Sequence, residues 1–164
     1  MLFHEKFVVE QGLSSELFEK ISRFLAQGFL TGLSPIIPGT VGTIPGVLLW
    51  FFVKSDYFLL ILGLAVLGLS VKGVESLILE TGDSDPSRVV VDEVFGFIVA
   101  GIGHDRTAAA AVGLFLLFRI FDILKPWPAS WANKREGVLF VILDDIVAGL
   151  YASGMFFLLE KFLR

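Results

Sequence analysis

The chain has 164 residues, enough for one domain with one core, and 55% of them are hydrophobic, with a mean hydropathy of +0.80 that points to a lipid setting. A net charge of −4 leaves no broad basic field, so nucleic acid is excluded as a partner. The absence of Cys rules out disulfides, thiol nucleophiles and Cys–zinc sites, and the lone His4 and His104 cannot form a histidine metal cage; both read as surface residues without a role.

The first twenty residues, MLFHEKFVVEQGLSSELFEK, are too charged for a secretory signal, so any membrane insertion falls to the chain's own helices. Leu17, Phe18, Ile21, Phe24, Leu25 and Phe29 recur at helical spacing and predict an N-terminal amphipathic helix over 14–29. Its apolar stripe suits either a membrane interface or the core. TGLSPIIPGTVGT, residues 31–43, is too dense in Gly, Pro, Ser and Thr for regular helix and reads as a loop. Five apolar runs without strand-like alternation follow and read as helices: 41–53, 57–71, 94–103, 107–124 and 138–159. The expected fold is all-α, a compact multi-helix bundle over 1–164 as a single domain, multi-pass in a membrane. No run has the roughly 18 uncharged residues of a simple span, so a compact soluble helical domain fits the lengths too.

Let 31–43 face the cytoplasm and let each run cross once. Lys72, Arg88, Arg119, Lys125, Lys134 and Arg135 then fall inside, and Lys54, Arg106, Lys161 and Arg164 outside, in keeping with the positive-inside rule. Every motif with chemical potential falls on the inner side.

Those motifs centre on acids at the edges of apolar runs: Asp92 and Glu93 in VVVDEVFGFIVA, Asp122 in FRIFDILKPWP, Asp144 and Asp145 in FVILDDIVAGLYA. An ionised carboxylate in such surroundings costs several kcal/mol unless paired. Too few cations lie near in sequence, and a hard divalent cation resolves the cost, Mg²⁺ being usual beside phosphate. Adjacent acids on a helix point about 100° apart, so one member of each pair can face a site while the other meets a neighbour. Gly96 and Gly149 follow closely and allow the tight helix approach that brings acids together. Arg119, Asp122 and Lys125 share a helical face at a C-terminal end closed by Pro126 and Pro128, with Trp127 and Trp131 suited to an interfacial belt. In the 34–43 loop, Ser34, Thr40 and Thr43 offer hydroxyls, and Gly39 and Gly42 allow close backbone approach to phosphate, although no Walker motif is present. Alone, each acid reads as a helix cap, each cation as a snorkelling side chain and the loop as a turn. Five acids together read as a site.

Four blocks in order, over about residues 28–152, resemble the phosphatidylglycerophosphatase A family: GFLTGLSPIIPGTVGT, DPSRVVVDEVFG, FRIFDILKPWP and LDDIVAGLYA. The resemblance implies a Mg²⁺-dependent enzyme of the bacterial inner membrane, its site on the cytoplasmic side. The implied substrate is phosphatidylglycerophosphate, and the products are phosphatidylglycerol and phosphate. Asp85, Asp92, Glu93, Asp122, Asp144 and Asp145 match family acids, and Thr40, Arg119 and Lys125 also match. The chain departs from the family before the paired Asp, where Val138 and Phe140 stand at positions usually Gly and Gly137 is kept.

On this reading Glu93, Asp122, Asp144 and Asp145 hold the metal with Asp92 beside them, and Arg119, Lys125, Ser34, Thr40 and Thr43 bind phosphate. Attack by water and an aspartyl-phosphate route both remain open. Three alternatives stand beside it. One is a small helical transporter or lipid-binding membrane protein without hydrolase activity. Another is a soluble helical relative that keeps the site. The third is a haloacid-dehalogenase-type phosphatase built on Asp83-Ser84-Asp85, which requires a strand where ESLILETG reads as a helix end. Oligomeric state, metal count and acyl-chain preference are not encoded in any motif.

Overall fold

The computed structural model describes the backbone of residues 2–132, 135 and 137–163, and the side chains of 12–132, 135 and 137–162. Lys134 and the His4 side chain lie outside the described residues. Seven α-helices and no strand occur among those described: α1 Leu2–Ala26, α2 Pro38–Phe52, α3 Asp56–Thr81, α4 Val91–Gly101, α5 Ala108–Leu124, α6 Ala129–Ala132 and α7 Val138–Leu163, with a 3₁₀ turn at Thr31–Leu33.

The bundle forms because small residues let the apolar helices approach closely. On α4, a Cβ at Gly96 would lie 2.8 Å from the Asp145 carbonyl oxygen of α7, and one at Gly149 of α7 would run into the Gly96 carbonyl. Gly42 and Gly46 press α2 against Val90 and Val94 in the same way. Trp50, Phe97 and Phe118 fill the space between, fully buried, with edge-to-face rings 6.1 and 6.3 Å apart. The indole N–H of Trp50 donates to the Gly101 carbonyl at 2.6 Å. Replacing Gly149 with Ala should therefore force α4 and α7 apart, costing about 1–3 kcal/mol, read as a lower melting temperature in detergent.

Several boundaries differ from the sequence reading. Residues 38–43 are the first turns of α2 rather than loop, despite Pro45 inside the helix. Pro38 is tolerated at the first helical position, and the glycines serve the contact with α4, so packing overrides propensity. α3 runs through Lys72, Glu75 and Glu80 to Thr81, where Gly82 in the left-handed region (φ 69°) ends it. Lys72 is thus on a helix, its ammonium 5.8 Å from the Phe18 ring, and not in a connecting segment.

α1 begins at Leu2 and not at residue 14. Its contact with α3 joins polar pairs to an apolar end: the Gly73 N–H donates to Ser22 Oγ at 2.6 Å, Ser76 Oγ donates to Glu19 at 3.0 Å, Arg23 pairs with Glu80, and Ala26 packs in a cluster with Val74 and Leu77. Leu17, Phe18, Ile21 and Phe24 face outward while Leu25 is half-buried, and Phe29 lies beyond the end of α1 with φ 58°, so no continuous amphipathic helix spans 14–29. α3 and α7 are long and apolar enough to cross a membrane, each of 26 residues and so about 39 Å in length.

The helices give the bundle two chemically distinct ends. At one, the Arg106 side chain donates to the carbonyls of Trp50 and Val53 and pairs with Asp56. His104 is buried there, correcting the expectation of a surface residue: its Nε2 lies 2.9 Å from Ser153 Oγ, Nδ1 3.6 Å from Glu160, and its ring stacks edge-on against Phe156. The hydrogen bond and the aromatic contact satisfy both characters of the imidazole. The acids lie at the opposite end.

Candidate metal and phosphate site

Asp92 and Glu93 stand in the first turn of α4, where the helix dipole favours negative charge. Asp145 reaches them from α7 across the Gly96–Gly149 contact. Asp92, Glu93 and Asp145 each offer a carboxylate oxygen within 4.8 Å of the others, a spacing that one cation can bridge. Asp92 and Asp145 are each 4% exposed. Glu93 Oε2 and Asp145 Oδ1 are buried without a hydrogen-bond donor. Buried carboxylate oxygens left unsatisfied are costly, and a divalent cation is what this donor set fits.

The other two acids are committed differently. Arg119 and Asp122, one turn apart on α5, form an ion pair of 2.6 Å, and the same guanidinium nitrogen is 3.9 Å from Glu93 Oε1. An acid in the last turn of a helix is disfavoured by the dipole, and Arg119 offsets that. Lys125 caps α5 in the left-handed region (φ 42°), an uncommon conformation for a side-chain-bearing residue, and its ammonium pairs with Asp144 of α7. Burial lowers the lysine pKa, but the hydrogen bond to Asp144 and the nearby charges of Asp145 and Asp122 raise it further, so it stays above its ordinary value and protonated.

Gly39, in the first turn of α2, abuts this network: a Cβ there would collide with Glu93 Oε1 and lie 3.0 Å from Arg119 Nη2. The N-terminus of α2 therefore meets the acids. Thr40 is half-buried beside it. Ser34 and Thr43 use their hydroxyl protons locally, donating to the Ile36 and Gly39 carbonyls at 2.8 Å each. Asp85 stays exposed on the segment between α3 and α4, its N–H donated to Asp83 at 3.1 Å, within the field of Lys125 and Asp122. Asp83 and Asp85 follow a helix, and no strand precedes them, so the haloacid-dehalogenase geometry is absent among the described residues.

Five acids against two cations give the cluster a formal charge of −3. A bound cation would offset that charge for an arriving dianionic phosphate. Sequence reasoning placed Asp92 beside the metal rather than on it. The structure brings Asp92 together with Glu93 and Asp145 and pairs Asp122 and Asp144 with Arg119 and Lys125, a matter of side-chain direction that spacing does not reveal.

The family model for phosphatidylglycerophosphatase A matches residues 24–160, and so spans all four helices that bear the site. The chain belongs to the phosphatidylglycerophosphatase A family. It is 32% identical to phosphatidylglycerophosphatase A of Escherichia coli (strain K12), over 81% of this chain and 80% of the relative. It is 33% identical to the Haemophilus influenzae protein of the same name, over 83% and 86%. A Bacteroides thetaiotaomicron protein named "Putative phosphatidylinositol-3-phosphatase" is 34% identical over 78% and 86%. No solved structure matches. Membership of this lipid-phosphatase family and the acidic triad together support hydrolase activity dependent on a divalent metal.

Proposed function

We propose that the chain removes the terminal phosphate of phosphatidylglycerophosphate, with Mg²⁺ as the metal, releasing phosphatidylglycerol and inorganic phosphate. The observation that carries this reading is the convergence of Asp92, Glu93 and Asp145, two of them with an unsatisfied buried oxygen, beside Arg119 and Lys125. When bound, the cation would supply charge neutralisation at the phosphate oxygens. Asp92, Glu93 and Asp145 would hold it. Asp122 fixes the Arg119 guanidinium and Asp144 fixes the Lys125 ammonium, so both donors are oriented toward the negative charge that spreads over the phosphoryl group. Thr40 and the free N–H groups opening α2 add donors on the side of Gly39.

Location follows from the same residues. α3 and α7 cross the bacterial inner membrane, the exposed apolar stripe of α1 lies in its surface, and the acidic end faces the cytoplasm, where Arg88, Arg119, Lys125 and Arg135 gather. The acyl tails stay in the bilayer while the headgroup enters the polar end.

The Bacteroides relative's name favours a second reading, in which the monoester sits on an inositol headgroup. Phosphate release in detergent micelles from phosphatidylglycerophosphate, phosphatidylinositol 3-phosphate and phosphatidate, each with Mg²⁺ and with EDTA, separates the two. We expect phosphatidylglycerophosphate to be preferred by about tenfold or more in kcat/KM, and EDTA to abolish release. Preference for the inositol lipid selects the second reading. No release from any of the three selects a transporter or lipid-binding protein.

A further inference from the structure

Arg135 stands on the segment between α6 and α7 and belongs to no part of the machinery described so far. Its guanidinium carbon sits 4.2 Å from the Trp131 ring centre and 5.7 Å from that of Phe140, and the two rings meet edge to face at 6.0 Å. The Arg135 N–H donates to the Ala132 carbonyl at 2.9 Å, which fixes the backbone. Arg135 and Trp131 are exposed, and among the described residues no carboxylate pairs with Arg135. A guanidinium stacked on aromatic faces keeps its N–H edge free and pre-organised for a phosphate.

Position gives this cation a meaning. Phe140 precedes Asp144 by four residues on α7, so the aromatic cradle lies one helical turn, about 6 Å of rise, outward from the Lys125–Asp144 pair. The proposed substrate carries two phosphates: the terminal monoester and, across one glycerol unit, the phosphodiester that joins the headgroup to the acyl chains. A glycerol bridge covers a span comparable to one helical turn. Phe140 supplies one of the two rings against Arg135, so its loss would remove half of the cradle.

We infer that Arg135, held by Trp131 and Phe140, binds the phosphodiester of the substrate and so selects phosphodiester-bearing lipids; this rests on the function proposed above. The test uses nonionic detergent micelles in which the substrate is the sole phospholipid. Arg135→Ala raises KM for phosphatidylglycerophosphate about tenfold or more, with kcat changed far less, and Arg135→Lys recovers part of the loss. Short-chain phosphatidylglycerol, which retains only the diester, inhibits the variant about tenfold less well, while inhibition by inorganic phosphate is unaltered. Phe140→Leu gives a smaller rise in KM. The inference is overturned by an unchanged KM, by equal weakening of inhibition by phosphate and by phosphatidylglycerol, or by a defect that emerges only when anionic phospholipid is added, which would assign Arg135 to the bulk membrane. A wild type that turns over while Arg135→Ala is indifferent removes this inference alone. A wild type that releases no phosphate removes the functional reading and this inference with it.

Discussion

Replacing Asp145 with Asn lowers phosphate release by about 10³-fold without weakening the fold. The substitution is isosteric, so the close contact with Gly96 is kept. What it removes is a charge from the set of three carboxylates that meet within 4.8 Å. In the presence of EDTA those carboxylates repel one another in a site that is 4% exposed at both Asp92 and Asp145, and the variant, with one charge fewer, melts at or above the wild-type temperature. In Mg²⁺ the order reverses. Cation binding to the native state alone stabilises it by RT ln(1 + [L]/Kd), about 2.7 kcal/mol at a hundredfold excess over Kd, and the wild type gains far more from this than the variant. Melting curves for both proteins with and without Mg²⁺, alongside phosphate release, check the claim. An equal Mg²⁺-induced shift in the two proteins would falsify the assignment of Asp145 to the metal.

The second large effect concerns a residue that is paired with Arg119 beside the triad. Asp122→Asn loses about 10²–10³-fold in activity. Asp122 holds the Arg119 guanidinium at 2.6 Å, while the same nitrogen stands 3.9 Å from Glu93 Oε1. With the carboxylate gone, the nearest remaining anion for Arg119 is Glu93, and the guanidinium closes on it. It then competes with the cation for a ligand oxygen and leaves the place from which it would meet phosphate. Raising Mg²⁺ should therefore restore part of the activity of Asp122→Asn and none of that of Asp145→Asn. A Mg²⁺ titration of phosphate release for both variants decides between them. If Asp122 were itself a ligand of equal weight, the two titrations would coincide.

The acids themselves were legible because carboxylates do not ordinarily sit among Val, Ile, Leu and Phe. Gly96 and Gly149 were legible as contact residues for a related reason: a small side chain four or five positions beyond an acid makes sense where another helix must come close. The helix ending before Pro126 followed from backbone chemistry alone. The opening of α2 was misread because Gly, Pro and Thr break isolated helices, whereas here Gly42 and Gly46 supply contacts with Val90 and Val94 that a propensity scale does not contain. His104 was read as a surface residue because nothing local indicates that Ser153 and Phe156, about fifty positions later, will enclose it.

By itself the sequence determined an all-helical chain, an acid-rich end and the residue types available there, since periodicity, turn chemistry and the cost of charge among apolar neighbours act over a few residues. Only the tertiary structure decided which acids point at one another and which at a cation, that Asp92 joins Glu93 and Asp145 while Asp122 and Asp144 face Arg119 and Lys125. The physical reason is that neighbouring acids on a helix diverge by about 100°, and the member that turns inward is chosen by where the next helix packs. That choice is made by contacts between residues some fifty positions apart, at Gly96 and Gly149 above all.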